Sequence, residues 1–514
     1  MFYGRSGIPT VTLSSTRRRA CRVGIALILV GVSLCGAPAG LSSQAVAPEL
    51  FRGPSVDFAH GPLEVSKDGR QLIHADGTPF FWLGDTAWEL FHRLDRDEAE
   101  LYLEDRRRKG FTIIQAVALA ELDGLDTPNA YGHTPLLEHD PARPDVRDGR
   151  HNDYWNHVDF IVGRAAAKGM YVGLLPTWGD KFNRKWGVGP EVFTPPNARA
   201  YGRFLGERYR EQPIIWILGG DRNPEEGEDV AIVRAMAAGI EDAAGEDALI
   251  TYHPQGGSRS WEWFGDDHWL DLHAFQSGHG ERDGANYRMT EEGYQRTPVK
   301  PVLDAEPRYE DHPVDWKPDD LGWFDEFDVR QAAYWSLLSG AAGHTYGNHN
   351  IWQMWQPGRK PVSWARTPWR IAIHHTGSWQ MGLVRRLFTS RPFDQLLPDQ
   401  DVLAGDAGTG AGHQRAARAS DGSFLFAYTP LGRPVRVRLE ALTGDSVVAY
   451  WFDPRTGAAT RIGTFAREGL RSFDPPGEEG RGRDWILVID DASRAFPLPG
   501  ATAHEPNFDS GGRP

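Results

Sequence analysis

An unbroken run of apolar residues at 214–218, Ile-Ile-Trp-Ile-Leu, constrains the fold of this chain most. Without period-2 alternation, such a run suits a strand that is covered on both faces, as in a parallel sheet wrapped by helices. The run leads into two glycines and then into a carboxylate, Asp221. Because the chemistry of parallel βα folds lies where the strands end, Asp221 is a candidate catalytic acid.

The same order of residues returns near residue 300, where a short apolar strand leads to Asp304 and Glu306 in a proline-marked loop. Glycoside hydrolysis needs two carboxyl groups at one bond, one protonated as general acid and one ionised as nucleophile or base. Taken singly, each acid is more simply explained as structural, Asp221 as a helix cap and Glu306 as an ion-pair partner. The presence of both after two different strands favours catalysis, and we expect Arg222 or Arg308 to keep Glu306 ionised.

From about residue 80 the chain alternates apolar strands with amphipathic helices, which is typical of βα units. This pattern predicts an α/β fold, a (β/α)8 TIM barrel over 55–392 with an N-terminal β-hairpin at 61–80. After 392 the strands become short and alternating, and they predict a small antiparallel β-sandwich over 393–495. A disordered tail is predicted over 496–514. The predicted barrel strands are 80–83, 112–117, 171–175, 214–218, 249–252, 270–275, 302–303 and 343–346, and the clearest helices are 95–109, 154–168, 229–244 and 328–339.

The first 45 residues are interpreted as a signal peptide and linker. They hold five arginines, no acids and an apolar run at 23–34, with plausible cleavage after Ala39 or Ala45. We therefore expect a periplasmic or extracellular protein. The apolar run is shorter than the roughly 20 residues of a spanning helix, so no membrane span is predicted. Cys35, in Val-Ser-Leu-Cys-Gly, faintly resembles a lipoprotein box, which leaves a membrane-anchored lipoprotein as the alternative.

Composition excludes several classes of function. Both cysteines, Cys21 and Cys35, lie in the signal segment, so the exported chain has neither a disulfide nor thiol chemistry. Without the five N-terminal arginines, 51 of the 56 basic residues remain against 70 acidic ones, a net charge of −19 that argues against nucleic acid as a partner. The 19 tryptophans suit a chain that binds an oligo- or polysaccharide. No cofactor is predicted.

Side chains at or just after the other predicted strand ends are candidates for lining a sugar pocket. Each of them alone is more often structural. Tryptophan offers a flat apolar face to a sugar ring, as Trp88, Trp178 and Trp352 would, although a barrel of this size also buries tryptophans in its helical shell. The predicted substrate-binding residues are Asp85, Trp88, Gln115, Glu121, Trp178, Arg222, His253, Gln276, Tyr346 and Asn348.

Four short motifs carry a family resemblance: Gly-Asp-Thr-Ala-Trp at 84–88, Gly-Gly-Asp-Arg-Asn-Pro at 219–224, Asp-Ala-Glu-Pro at 304–307 and Gly-His-Thr-Tyr-Gly at 343–347. With them, residues 60–390 resemble the apiosidase-like glycoside hydrolases, and residues 395–490 resemble the β-domain labelled "putative collagen-binding" that commonly ends these proteins.

The resemblance implies a retaining enzyme with Asp221 as acid/base and Glu306 as nucleophile. It also implies an O-glycosidic substrate in plant or bacterial polysaccharide, apiose in a pectic side chain being the family's best-known target. The chain departs from the wider clan in having an Asp, not an Asn-Glu pair, after strand 4.

Two alternatives from other classes stay open at this point. A metal-dependent hydrolase would use His344, His349, His374 and His375 as ligands, but no His-Glu-x-x-His spacing is present. A non-catalytic carbohydrate-binding barrel would keep the aromatic residues and lose the carboxylate pair, which this sequence retains.

Overall fold

The computed structural model describes residues 50–147 and 153–501. The predicted signal segment at 1–45 and the end of the predicted tail, 502–514, therefore lie outside the described residues. In the first part of the chain the strands are β1 (Leu63–Val65), β2 (Leu72–His74), β3 (Pro79–Phe80), β4 (Trp82–Thr86), β5 (Ile113–Leu119), β6 (Tyr171–Thr177), β7 (Ile214–Gly219), β8 (Ile250–His253), β9 (His273–Phe275), β10 (Val302–Asp304) and β11 (Gly343–Tyr346).

Helices follow most of these strands and form the outer layer. The helices of the described residues are α1 (Leu90–Arg93), α2 (Arg96–Lys109), α3 (Tyr154–Ala167), α4 (Pro195–Tyr209), α5 (Gly227–Ala244), α6 (Trp261–Phe264), α7 (Asn286–Tyr294), α8 (Pro318–Leu321), α9 (Glu326–Leu337), α10 (His349–Trp352), α11 (Trp369–Ala372) and α12 (Thr376–Thr389).

Strands β4 to β11 form a parallel barrel. Six of them pair in the order β11-β4-β5-β6-β7-β8, and β10 pairs with β9. Single backbone hydrogen bonds close the two remaining gaps, from Asp271 N to Ile250 O (2.9 Å) and from Ala342 N to Val302 O (2.9 Å). The predicted (β/α)8 barrel is confirmed, and all of its strand carboxyl ends face one side.

Local signals explain why the predicted helices begin and end where they do. Asp95 and Glu98 form a reciprocal capping box at the start of α2, and Gly110 ends that helix in a left-handed conformation. The β1-β2-β3 hairpin sheet contributes Leu72 and Phe80 to the cluster that fills the barrel interior. Phe80 packs edge-on against Tyr171 at the start of β6, so the hairpin covers the amino-terminal end of the barrel.

The C-terminal part is an antiparallel β-domain. Its strands are β12 (Leu396–Pro398), β13 (Arg415–Ala419), β14 (Phe424–Thr429), β15 (Val435–Arg438), β16 (Ser446–Phe452), β17 (Ala459–Ala466), β18 (Leu470–Phe473) and β19 (Trp485–Asp491). Six of them form one sheet, in the order β12-β13-β14-β19-β16-β17, and β15 with β18 forms a second sheet. Apolar side chains from both sheets share one core, which agrees with the predicted sandwich.

The β-domain packs against α9 and α12 of the barrel. Tyr334 stacks on Tyr428, and Phe388 packs on Phe426. The start of the predicted tail differs from the prediction. Gly500 donates from its backbone N to Ser390 Oγ (3.2 Å) and Phe496 packs against Phe424, so 496–501 is held on the domain surface by hydrogen bonds and ring contacts.

Candidate active site

A cavity of about 850 Å³ opens at the carboxyl-terminal end of the barrel. Its walls include three acids that follow directly on strands: Glu121 after β5, Asp221 after β7 and Glu306 after β10. The structure thus brings the predicted catalytic pair into one cavity, together with a third carboxylate that the sequence suggested for substrate binding.

A tight turn at the end of β7 delivers Asp221. Gly219, Gly220 and Asp221 have φ of 93°, 99° and 54°, so three successive residues adopt a left-handed or related backbone. A Cβ on Gly219 would lie 2.5 Å from the carbonyl oxygen of His253, and one on Gly220 would lie 2.9 Å from the backbone nitrogen of Gly179. Only glycine fits the first two positions, and Asp is among the residues that tolerate the third.

Glu306 is held between two imidazoles. Nε2 of His279 lies 3.0 Å from Oε1, and Nε2 of His253 lies 3.0 Å from Oε2. Nδ1 of His253 accepts a hydrogen bond from the backbone N–H of Asp221 (3.2 Å), which in the neutral ring places the proton on Nε2, toward Glu306. His253 therefore links the two halves of the candidate pair.

The two acids have opposite pKa shifts. Burial raises the pKa of Glu306, but the contacts with the imidazoles of His253 and His279 outweigh burial and bring that pKa down to about 2. Burial and then the negative charge of Glu306 raise the pKa of Asp221 to about 6, against a smaller effect of Arg222 in the opposite direction. At pH values between these limits Glu306 is ionised and Asp221 holds a proton.

Glu121 has the environment of a neutral carboxylic acid. Burial raises its pKa well above the usual range, and the charges of Asp221, Asp180 and Glu89 raise it further. Within the described residues its carboxyl group makes no hydrogen bond to protein. A protonated Glu121 presents an O–H donor and a carbonyl acceptor to whatever occupies the cavity.

Aromatic rings form the wall beside the acids. Trp88 and Trp178 lie with ring centroids 5.4 Å apart, and both pack around the His253 imidazole, at 5.6 and 6.1 Å. Trp352 and Tyr309 line the same cavity. Of the other predicted binding residues, Gln276 lies in this wall.

Arg222 lies beneath the cavity, fully buried. Its Nη1 donates to the backbone oxygen of Asp221 (2.7 Å) and lies 3.5 Å from its carboxylate. The cation that we expected beside Glu306 is replaced by the two imidazoles. Arg308 Nη1 instead donates to the carbonyl oxygens of Arg282 and Gly284.

The remaining predicted binding residues do not line the cavity. Asp85 is paired with Arg106 and accepts from Tyr102, both on α2. The roles of these predicted residues, Asp85, Gln115, Tyr346 and Asn348, in substrate binding stay predictions, and the structure gives each of their side chains a protein partner. Gln115 donates to Thr345 inside the barrel, Tyr346 donates to Glu310, and Asn348 contacts His375 and caps α10. Asp304, the other strand-end acid noted beside Glu306, accepts from Ser277 and Asn286.

Side-chain direction explains these positions. Successive residues of a strand point to opposite faces, so Trp82 and Asp85, which differ by an odd number, face the barrel interior and the helix layer respectively. Tyr346 points outward on β11 in the same way, while Thr345 points inward. Position at a strand end alone does not say which face a residue occupies.

Several residues of the site were not predicted from the sequence, among them His279, Trp186 and Trp316. His279 lies in the loop after β9, but nothing in a single sequence shows that it reaches Glu306. Trp186 and Trp316 lie on long loops whose course the sequence does not predict, and both line the cavity. The sequence signal that could have indicated these two residues is a tryptophan within a loop that follows a barrel strand.

The four histidines of the metal alternative do not form a ligand set. His349 contacts the carbonyl oxygens of Val362 and Ser363, and His375 contacts Asn348. His374 lies 3.9 Å from Asp105, and His344 is buried within the barrel. Across 50–147 and 153–501, no group of three or more His, Cys, Asp or Glu is arranged to hold a metal ion.

Within the same ranges, no helix is long and apolar enough to cross a membrane. A (β/α)8 barrel whose mouth brings two acids with opposite pKa shifts into one cavity walled by tryptophans has the features of a glycoside hydrolase.

Comparison with known proteins gives the family. Residues 66–395 match the model described as "Apiosidase-like, catalytic domain", and residues 397–490 match the model described as "Putative collagen-binding domain of a collagenase". The chain belongs to the apiosidase-like family of glycoside hydrolases, as the sequence motifs predicted. No curated protein matches it by sequence.

Solved structures agree with this family. A structure described as a glycoside hydrolase is 34% identical, with a TM-score of 0.79, and the alignment covers 85% of this chain and 98% of that one. A glycoside hydrolase family 5 protein from Bacteroides vulgatus is 32% identical, with a TM-score of 0.81 and coverage of 87% and 97%. Both alignments cover more of this chain than the barrel alone.

Proposed function

We propose that the protein is an exported glycoside hydrolase that cleaves an O-glycosidic bond of plant or bacterial polysaccharide with retention of configuration. Glu306 is the nucleophile and Asp221 the acid/base. The observation that carries the proposal is the contrast between two acids in one cavity, since Glu306 lies 3.0 Å from each of two imidazole nitrogens and Asp221 lies 3.5 Å from its nearest guanidinium nitrogen. Their surroundings lower the pKa of Glu306 to about 2 and raise that of Asp221 to about 6.

The first chemical step is attack by the Glu306 carboxylate on the anomeric carbon. The bond from that carbon to the leaving-group oxygen breaks, and the Asp221 proton passes to this oxygen. In the second step the Asp221 carboxylate takes a proton from water, whose oxygen attacks the anomeric carbon and releases Glu306. Each acid returns to its starting state.

The surroundings of each acid support this assignment of roles. His253 and His279 orient Glu306 and keep it ionised, which a nucleophile requires. Asp221 has its guanidinium neighbour at 3.5 Å rather than in a close ion pair, so burial and Glu306 dominate and the proton stays. When Glu306 becomes esterified its charge disappears, the pKa of Asp221 falls, and Asp221 becomes ready to act as a base.

The substrate class rests on the family and on the wall of the cavity. Trp88 and Trp178 offer apolar faces to a sugar, and the neutral Glu121 offers both a donor and an acceptor to its hydroxyl groups. The family description favours apiose as the sugar that is released.

A hydrolysis screen tests the proposal. The chain without its first 45 residues is incubated with aryl glycosides and plant and bacterial polysaccharides, and released sugars are identified. ¹H NMR then follows the first anomer formed. Retention is expected. A first product of inverted configuration would contradict the nucleophile assignment, and release of no sugar from any substrate would contradict the hydrolase.

Export rests on the composition of residues 1–45 and has its own test. Mass spectrometry of the protein from its native host should find a mature amino terminus near residue 40 or 46. A diacylglycerol group on Cys35 would make the protein a membrane-anchored lipoprotein, and an intact Met1 would contradict export.

A further inference from the structure

Two tryptophans that line the cavity are exposed, unlike the other aromatic side chains of its wall. Trp186 is 57% exposed and Trp316 is 47% exposed, whereas Trp88 and Trp178 are almost fully buried. An exposed indole that lines a cavity offers apolar area that a bound ligand can bury. Trp186 lies after β6 and Trp316 after β10, the third and seventh barrel strands, so the two rings come from opposite sides of the mouth.

The loop that carries Trp186 is held in place although its indole is exposed. Asp180 Oδ2 accepts from the backbone N–H of Gly189 (2.8 Å), and the buried Arg222 donates to the carbonyl oxygen of Asn183 (3.0 Å). Lys185 reaches across to Gln255 (3.0 Å). A ring on such a loop is presented in a fixed position, which reduces the entropy lost on binding.

Trp186 lies on the side of the acid. The Arg222 guanidinium is 4.1 Å from the Trp186 ring centroid, and the same guanidinium contacts Asp221. One face of the indole therefore covers the arginine, and the exposed part of the ring is continuous with the cavity at the acid that protonates the leaving group.

Trp316 lies on the side of the nucleophile. Its ring packs edge-on against His312 (centroids 5.3 Å apart) and His279 (6.1 Å), and His279 contacts Glu306. The Trp316 loop is tied to the same histidine by a hydrogen bond from Asp315 N to His279 O (2.9 Å). Each indole therefore packs against a residue that contacts one of the two proposed catalytic acids, Trp186 on the side of Asp221 and Trp316 on the side of Glu306.

We propose that Trp186 is the stacking surface for the sugar ring of the leaving group and that Trp316 is the stacking surface for a sugar on the other side of the cleaved bond. The proposal rests on the proposed function, because the acid marks the leaving-group side. The enzyme therefore recognises an oligosaccharide segment and not the cleaved sugar alone. The flat indole faces and the acidic, polar cavity between them fit a chain of sugar rings.

The binding arm of the test does not depend on hydrolysis. Pectic oligosaccharides fractionated by length are titrated into the Glu306→Gln protein by isothermal titration calorimetry, alone and combined with Trp186→Ala, Trp186→Phe or Trp316→Ala. Phe465→Ala is the matched control, because its ring is also stacked with an arginine, Arg471 at 3.7 Å, but lies on β17 outside the cavity.

We expect Trp186→Ala and Trp316→Ala each to weaken oligosaccharide binding about 10-fold, the size of one stacked aromatic contact. Trp186→Phe, which keeps an aromatic ring, should retain most of the binding affinity, and Phe465→Ala should leave the affinity unchanged. The proposal is overturned if no fraction binds, or if Trp186→Ala binds as tightly as the control.

The kinetic arm separates binding from structural support. For the sugar found in the screen, kcat/KM is compared on its glycosyl fluoride, whose leaving group has no ring to stack, and on an oligosaccharide. Trp186→Ala should lower the second about 10-fold and leave the first within about twofold. An equal loss on both would overturn the proposal. Binding that depends on Trp186 without any hydrolysis would contradict the proposed function and leave the stacking surfaces standing.

Discussion

Buried acids at the domain interface and at the barrel mouth differ in how closely arginine pairs with them. At the interface, Asp484 and Asp490 each accept two hydrogen bonds from one arginine, Arg330 and Arg391, at 2.7–3.0 Å. At the mouth, Asp221 has a guanidinium no closer than 3.5 Å. Acids whose oxygens are both bound by arginine hold the two parts of the chain together, whereas Asp221 at the mouth has no close ion pair and lines the cavity.

The largest effect is expected at the nucleophile. Glu306→Gln removes the attacking oxygen anion while keeping the shape of the side chain, so kcat should fall by about 10⁴-fold or more, even on aryl glycosides with activated leaving groups. Steady-state kinetics measures the loss, and circular dichroism confirms the fold. Near-normal turnover by this variant would contradict the role of Glu306 as nucleophile, and with it the contrast between the acids of the barrel mouth and those of the domain interface.

The interface acids should affect stability instead of chemistry. Asp484→Asn leaves the buried Arg330 without its ion pair, which costs about 3–5 kcal/mol in the free energy of unfolding. Asp421→Asn is the control, because its pair with Arg494 is partly exposed and worth about 0–1 kcal/mol. Denaturant titration measures both. A loss of kcat/KM in folded Asp484→Asn protein would contradict the assignment of this interface pair to stability.

The loss of activity in Asp221→Asn should depend on the leaving group of the substrate. Where the leaving group needs a proton, we expect a loss of about 10²-fold, the lower end of general acid catalysis. Activated aryl glycosides should still pass the first step rapidly and then accumulate the glycosyl-enzyme, because the base of the second step is missing. Stopped-flow measurement of a burst checks this. Equal losses on both substrates would argue against Asp221 as acid.

The smallest effect is expected at Glu121. Its raised pKa makes it a neutral acid, and glutamine has the same shape with a donor and an acceptor, so Glu121→Gln should lose less than about 10-fold in kcat/KM. Glu121→Ala, which lacks both groups, is the comparison and should lose more. A loss from Glu121→Gln as large as that from Glu306→Gln would mean that Glu121 acts as a carboxylate.

The sequence predicts the framework of this site better than its contacts. The apolar run before Asp221, the helix predicted at 95–109 and the spacing of the strands report local preferences that tertiary packing does not overturn here. Asp85 was placed in the pocket because a strand end does not reveal which face a side chain occupies. His279 and Trp186 depend on loops, and single-sequence patterns say little about how a loop folds back.

The pH dependence of kcat/KM tests the central claim most directly, since it reports the free enzyme. Activity requires Glu306 ionised and Asp221 protonated, so it should fall as pH rises through about 6 and, on the acid side, as pH drops toward about 2. On substrates whose leaving group needs a proton, Asp221→Asn should abolish this basic limb. A profile that stays flat from pH 5 to pH 8 would show that no protonated Asp221 is needed and would contradict the account.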